Sequence, residues 1–308
     1  MTGPEPVGQS ASIRLVERRR RVREAGLGYV LVLPSLVLFA AFVFYPFIHT
    51  LYLGFYRTPP FPGLPRHYVG LAQYRSVLRS GAFTSSIATT LAFAAMTVPA
   101  SLVLGTALAL LAHARLRGIG VYRTIFSSTV ATSVAVASVI FGTLLNPVVG
   151  FLPWLGLQTA PPILENPSWA LVAVAVTSVW QSAGLAFILI SSGLQSIPDD
   201  LLEAAQVDGA NSWTRLWRVT LPMLTPTLFF TVVVGSIVAF QAFGQIDLLT
   251  QGGPIHRTNV LTYAIYTAIR QDNDEGRAAV LTAALFAITL VLTLIQVRVL
   301  ERRVHYGR

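Results

Sequence analysis

A chain of 308 residues that is 54% hydrophobic and only 11% charged, with a mean hydropathy of +0.63, is excluded from the class of ordinary soluble domains. Its net charge of +9 rests on 22 basic residues that are all arginine. Without lysine no G-x-x-x-x-G-K-[ST] phosphate loop exists, and without cysteine there are no disulfides or thiolate metal sites.

Residues 1–26 form an Arg-rich segment in which Arg14, Arg18, Arg19, Arg20, Arg21 and Arg23 read as a cytoplasmic anchor on membrane lipid rather than a nucleic-acid site. A bilayer core about 30 Å thick needs roughly 20 apolar residues in a helix. Six stretches are long enough: 27–55, 82–112, 124–148, 168–195, 220–246 and 278–297. None of the six contains Arg, Asp or Glu, as the cost of unpaired charge in lipid requires. They are too long for barrel strands, so the expected fold is an all-α polytopic membrane protein with six transmembrane helices over 27–297 and a tail at 298–308. The first stretch is too long for the apolar core of a cleaved signal and is expected to stay as a spanning helix, kinked at Pro34 and Pro46. With both termini cytoplasmic, 15 arginines fall inside and 7 outside, which favours that orientation.

Polar groups within the stretches are few. Ser101, Gly105 and Ala109 make a small-xxx-small stripe suited to close helix approach, either within the subunit or against a partner. Gln181, Ser182, Gln241 and Gln245 lie in apolar surroundings where an amide or hydroxyl must face a cavity or another helix, which makes them candidates for a solute pathway. Asp247 is placed to pair with Arg257. The five histidines, at 49, 67, 113, 256 and 305, lack metal-ligand spacing, and no catalytic constellation is found.

Between the fourth and fifth stretches lies the polar segment 198–222. Asp199 and Asp200 open a short helix carrying Glu203, Ala204 and Ala205, and Gly209 can supply the positive φ that ends it. A second short helix is expected next, capped by Asn211 or Ser212, with Trp213, Leu216 and Trp217 on one apolar face before Leu221-Pro222 leads back into the membrane.

The order Glu203-Ala204-Ala205, Asp208-Gly209-Ala210, Leu221-Pro222 resembles the EAA loop of binding-protein-dependent ABC importer permeases. In that family the loop docks on a separate ATPase. Leu216, with Trp217 beside it, stands where an aromatic is usual. Other segments are similar too. Tyr45-Pro46 and Val69-Gly70-Leu71-Ala72-Gln73-Tyr74 look like family motifs, the second with Gln73 for the usual Asn. Leu249-Thr250-Gln251-Gly252-Gly253-Pro254, followed by Thr258, Tyr263, Ile265 and Tyr266, resembles an external loop of carbohydrate-importer permeases. The ending IQVRVLERRVHY resembles that of the sn-glycerol-3-phosphate type.

The resemblance implies the ABC importer transmembrane fold in the inner membrane and a non-catalytic permease subunit working by alternating access. It also implies a second homologous permease, a homodimeric ATPase and an extracytoplasmic solute-binding protein. ATP and Mg would reside on the ATPase, with no cofactor on this chain. It raises Gln241 and Gln245, which follow the EAA loop, over Gln181 as solute contacts. The rival, an ion-coupled secondary carrier, needs intramembrane carboxylates, and the six stretches have none.

Overall fold

The computed structural model describes residues 28–59, 64–113, 118–156 and 160–301. The expected Arg-rich segment 1–26 and residues 302–308 of the expected tail lie outside them. The chain divides into two compact units, Met1–Leu53 and Gly54–Arg308.

The first unit contributes helix α1, Gly28–Leu53. Its middle widens into a π-turn at Ala40–Phe44, where the Tyr45 N–H reaches back to the Ala40 carbonyl. Pro46 follows directly. A proline has no N–H and its ring crowds the carbonyl four residues back, and one extra residue in the preceding turn relieves both problems.

The second unit opens with a small antiparallel pair, β1 (Tyr56–Arg57) and β2 (His67–Tyr68), with Tyr56 opposite Tyr68. Helices follow as α2 (Leu71–Leu78), α3 (Gly81–His113), α4 (Ile119–Ala131), α5 (Val134–Leu144) and α6 (Ala170–Gln195). Next come α7 (Asp199–Val207), α8 (Ser212–Phe240), α9 (Gly244–Leu249), α10 (Leu261–Arg270) and α11 (Glu275–Glu301). Among the described residues, five helices are long and apolar enough to cross a membrane, or six if α4 and α5 count as one bent span.

Helix α6 is the central post, and small residues let its neighbours close on it. A Cβ on Gly105 of α3 would lie 2.5 Å from the Ala186 Cβ, and one on Gly193 of α6 would lie 2.6 Å from the Thr227 hydroxyl of α8. Gly184 sits against Thr129 of α4. In lipid, where apolar side chains gain nothing by leaving the solvent, such close backbone approach is what holds helices together. Ser101, Gly105 and Ala109 are all buried, so the small-residue stripe packs inside the subunit against α6. Phe187, Ile190, Leu194 and Leu224 fill the core toward the α7 end; Phe93, Val174, Ile246 and Val260 fill it toward α9.

The expected spans need three corrections. The stretch 124–148 is not one straight helix: α4 and α5 meet at 103°, with Thr132 extended and the Ser133 hydroxyl accepting from the Val136 N–H. The apolar run hides the break because the signal is local; a Ser side chain that caps the new helix competes with helix continuation. The stretch 220–246 ends at Phe240, with Gln241–Phe243 unwound before α9. It also starts earlier. No separate second helix stands after Asn211, because α8 runs unbroken from Ser212 through a π-turn at Leu216–Thr220 that accommodates Pro222 as the earlier one accommodates Pro46. The last span extends beyond 278–297, from Glu275 to Glu301.

Charges enter helices only near their ends. Arg123, in the second turn of α4, donates to the Ala112 carbonyl at 2.9 and 3.2 Å and so satisfies an orphan acceptor at the end of α3. Among the described residues Asp247 and Arg257 form no ion pair; the pairs on that side of the molecule are Arg66 with Glu275 and Arg277 with Asp272. The loop after α9 is instead tied by Thr258, buried, whose hydroxyl lies 2.7 Å from that of Thr250 and donates to the Gly253 carbonyl at 2.7 Å.

Candidate functional site

Two places bring the singled-out residues together. The first is the elbow between α7 and α8. Asp199 and Asp200 occupy the first turn of α7, where acidic groups favour the helix dipole. Gly209 has φ +78°, as the glycine turn requires, and the Ala210 N–H closes on the Ala205 carbonyl at 3.0 Å. Nothing lies within 4 Å of where a Gly209 Cβ would stand, so its constraint is backbone conformation and not space. Asn211 caps α8 by accepting from the Thr214 N–H at 2.8 Å. Glu203, Ala204 and Asp208 are exposed, while Ala205 and Ala210 are half-buried.

The expected single apolar face of Trp213, Leu216 and Trp217 is divided. Trp213 and Trp217 stack edge to face at 5.7 Å and are 67% and 56% exposed. Leu216 turns to the other side, where it lines a cleft of about 650 Å³ with Leu202, Glu203 and Arg215. The π-turn that begins at Leu216 accompanies this division.

The second place is an open cavity of about 390 Å³ bordered by α3, the α4–α5 bend, α6 and the α8–α9 break. Gln181, Ser182, Gln241 and Gln245 all line it. The structure separates their roles. The Gln181 Nε2 donates to the Thr132 carbonyl at 2.8 Å, and its Oε1 accepts from the Gln245 Nε2 at 3.1 Å. These two amides are therefore occupied by the fold, Gln245 being 7% exposed. Gln241, in the unwound residues after α8, and Ser182, one residue past Gln181, make no side-chain hydrogen bond among the described residues. Both line the cavity without a partner in the fold.

The remaining wall is mostly apolar, from Val98, Val130, Leu185, Val238 and Phe243, with the hydroxyls of Thr97 and Ser101 turned to carbonyls of their own helix, and none of the lining residues is charged. Such a surface accepts hydroxyl groups and carbon faces but supplies no fixed counter-charge. Sequence reasoning missed two polar positions. Ser178 lines the cavity with its hydroxyl buried and unpartnered among the described residues. Gln296 of α11 donates to the Ser236 hydroxyl of α8 at 2.8 Å. The rule that selected the other midspan glutamines would have found Gln296, whereas a serine in an Ala-rich helix gives no signal.

The sequence pattern of the binding-protein-dependent transport system inner membrane component family matches residues 69–306. The chain is 36% identical over 286 residues to the sn-glycerol-3-phosphate transport system permease protein UgpA of Agrobacterium fabrum, covering 91% of this chain and 97% of that one. It is 35% identical to the corresponding protein of Rhizobium meliloti with the same coverage. It is 34% identical over 285 residues to that of Yersinia enterocolitica, covering 91% and 96%. Among solved structures it resembles a subunit of a bacterial ABC transporter involved in the import of the acidic polysaccharide alginate, with TM-score 0.78, 23% identity, and coverage of 93% of this chain and 99% of that one. A bacterial alginate ABC transporter in complex with alginate pentasaccharide-bound periplasmic protein matches with TM-score 0.78 and 23% identity over 94% of this chain and 99% of that one. These likenesses show the fold.

Proposed function

The chain belongs to the family of binding-protein-dependent transport system inner membrane components, and from that premise we propose that it forms half of the pathway for a polyol phosphate, with sn-glycerol 3-phosphate the first solute to test. It is a multi-pass, non-catalytic permease subunit of an ABC importer supplied by a solute-binding protein. The ion-coupled carrier is not favoured. The single observation that carries the solute class is identity of 34–36% over 91% of the chain to permeases of sn-glycerol-3-phosphate transport systems.

In this reading the N-terminus and C-terminus lie in the cytoplasm and the elbow docks on one half of a homodimeric ATPase, where ATP and Mg are held. Glu203, Ala204, Ala205, Asp208, Gly209, Ala210, Trp213 and Trp217 are its contact and turn residues, and Leu216 supports them from within. A second, homologous permease completes the cavity. Gln241 and Ser182 meet solute hydroxyls. The charge of a phosphate must be recognised elsewhere, by the binding protein or the second permease, because this chain's share of the wall is uncharged.

The test is ATPase activity of the reconstituted complex with its binding protein loaded in turn with sn-glycerol 3-phosphate, a glycerophosphodiester and a neutral disaccharide. Stimulation by a phosphate-bearing solute is the expected result. Stimulation by the neutral sugar alone would overturn the solute class. An ATPase that never co-purifies with the chain would overturn the assignment of the elbow.

A further inference from the structure

Two interruptions of membrane-spanning helices, far apart in sequence, meet at one side chain. The α4–α5 bend leaves the Thr132 carbonyl without a helical partner, and the Gln181 amide supplies the donor at 2.8 Å. The α8–α9 break places Gln245 where its Nε2 donates to the Gln181 Oε1 at 3.1 Å. The interruptions also touch directly. A Cβ on Gly244 would stand 2.6 Å from Val134 Cγ1 and 3.5 Å from Val134 Cβ. Both ends of the Gln181 amide are thus used, one for each interruption, in surroundings of low dielectric where such bonds are strong and expensive to leave unmade.

On the other side of the break α8 is one continuous helix from Ser212 to Phe240, roughly 43 Å at about 1.5 Å per residue. Its elbow end is exposed, while its far end is fixed by the Thr262 hydroxyl, which donates to the Phe240 carbonyl at 2.9 Å. Between these ends it packs on α6, with Leu224 fully buried and Thr227 against Gly193, so motion entering at the elbow is passed to α6 as well as along α8.

We propose that Gln181 is a positioning residue: it pins α5 to α9 as a collar, so that the α4–α5 bend and the α8–α9 break keep their mutual position when the elbow moves. The inference rests on the reading of the elbow as the site where ATPase motion enters. What it adds is which parts of the pathway stay together.

The absence of cysteine makes the collar directly testable. A Cβ separation of 3.5 Å falls within the range of roughly 3.5–4.5 Å that disulfides favour, so Val134→Cys with Gly244→Cys should cross-link under mild oxidation. In the purified full-length chain in nanodiscs, adding Gln181→Met is expected to slow that cross-link about tenfold, the equivalent of about one net hydrogen bond. Equal rates with and without Gln181 would overturn the proposal, and this readout needs no ATPase, binding protein or solute. In the assembled complex, Gln181→Met alone is expected to lower the ratio of stimulated to basal ATPase by about tenfold, and the oxidised cysteine pair should restore it. Rescue by a covalent pin is what a solute-contacting role for Gln181 would not produce. If oxidation arrests uptake in a chain that retains Gln181, α5 and α9 move apart during the cycle and the proposal is overturned.

Discussion

The elbow and the collar use the same kinds of polar residue to opposite ends. At the elbow Glu203 and Asp208 face outward and two indoles lie on the surface, while the hydrogen bonds that shape it are local, from Asn211 to its own helix and from Ala210 across the glycine turn. At the collar, Gln181 and Gln245 bond across 49 and 64 residues of sequence. One region turns Glu203, Asp208 and two indoles outward and is built to be met; the other uses its amides to hold distant segments together. The difference predicts that elbow variants change coupling with little effect on stability, and that collar variants lower stability first.

The largest expected effect is at Gly209. A β-branched residue at φ +78° is strained by about 1–2 kcal/mol or more, and with open space around it the turn relaxes by re-aiming α7 instead of unfolding. Gly209→Val should therefore reduce solute-stimulated ATPase about tenfold or more while the thermal transition of the purified chain barely moves. Intact stimulation would remove Gly209 from transmission. Next is Gln245→Ala, which leaves the Gln181 carbonyl oxygen unpaired and should cost about 1–3 kcal/mol, seen as a lower unfolding temperature in the same detergent. A variant with wild-type stability and defective solute selection would place Gln245 in the pathway instead. The smallest is Gln241→Ala, whose amide has no partner in the fold: uptake should fall about threefold, a loss of roughly 0.6 kcal/mol, with unfolding temperature unchanged. A stability loss there as large as at Gln245 would erase the distinction between free and occupied amides.

How much of this was legible follows from the range of each interaction. The elbow could be read residue by residue because its determinants are neighbours in sequence: acidic first turn, glycine with positive φ, Asn cap. The continuity of α8 through Leu221-Pro222 was not, since a proline after a polar segment reads as a helix start and the π-turn that admits it has no sequence mark. The cavity was half legible. Midspan glutamines announce that something must bond them, and all three lining it were identified, but which are occupied depends on the Thr132 carbonyl and on the path of α4 and α5. The bend itself was concealed by an uninterrupted apolar run, in which composition satisfies the bilayer whether the helix is straight or turned through 103°. The use of the Ser101-Gly105-Ala109 stripe could be decided only by seeing Ala186 opposite Gly105.

The uncharged lining of the cavity has an electrical consequence. In the proposed pathway this chain's share of the wall has no charge to move with the solute, so on its side the solute's own charge crosses the membrane potential uncompensated, at about 2.3 kcal/mol per elementary charge per 100 mV. A neutral sugar would cross such a wall indifferent to voltage. A phosphate ester entering a cell whose interior is negative would climb the field at every turnover, and that work falls on nucleotide hydrolysis outside this chain.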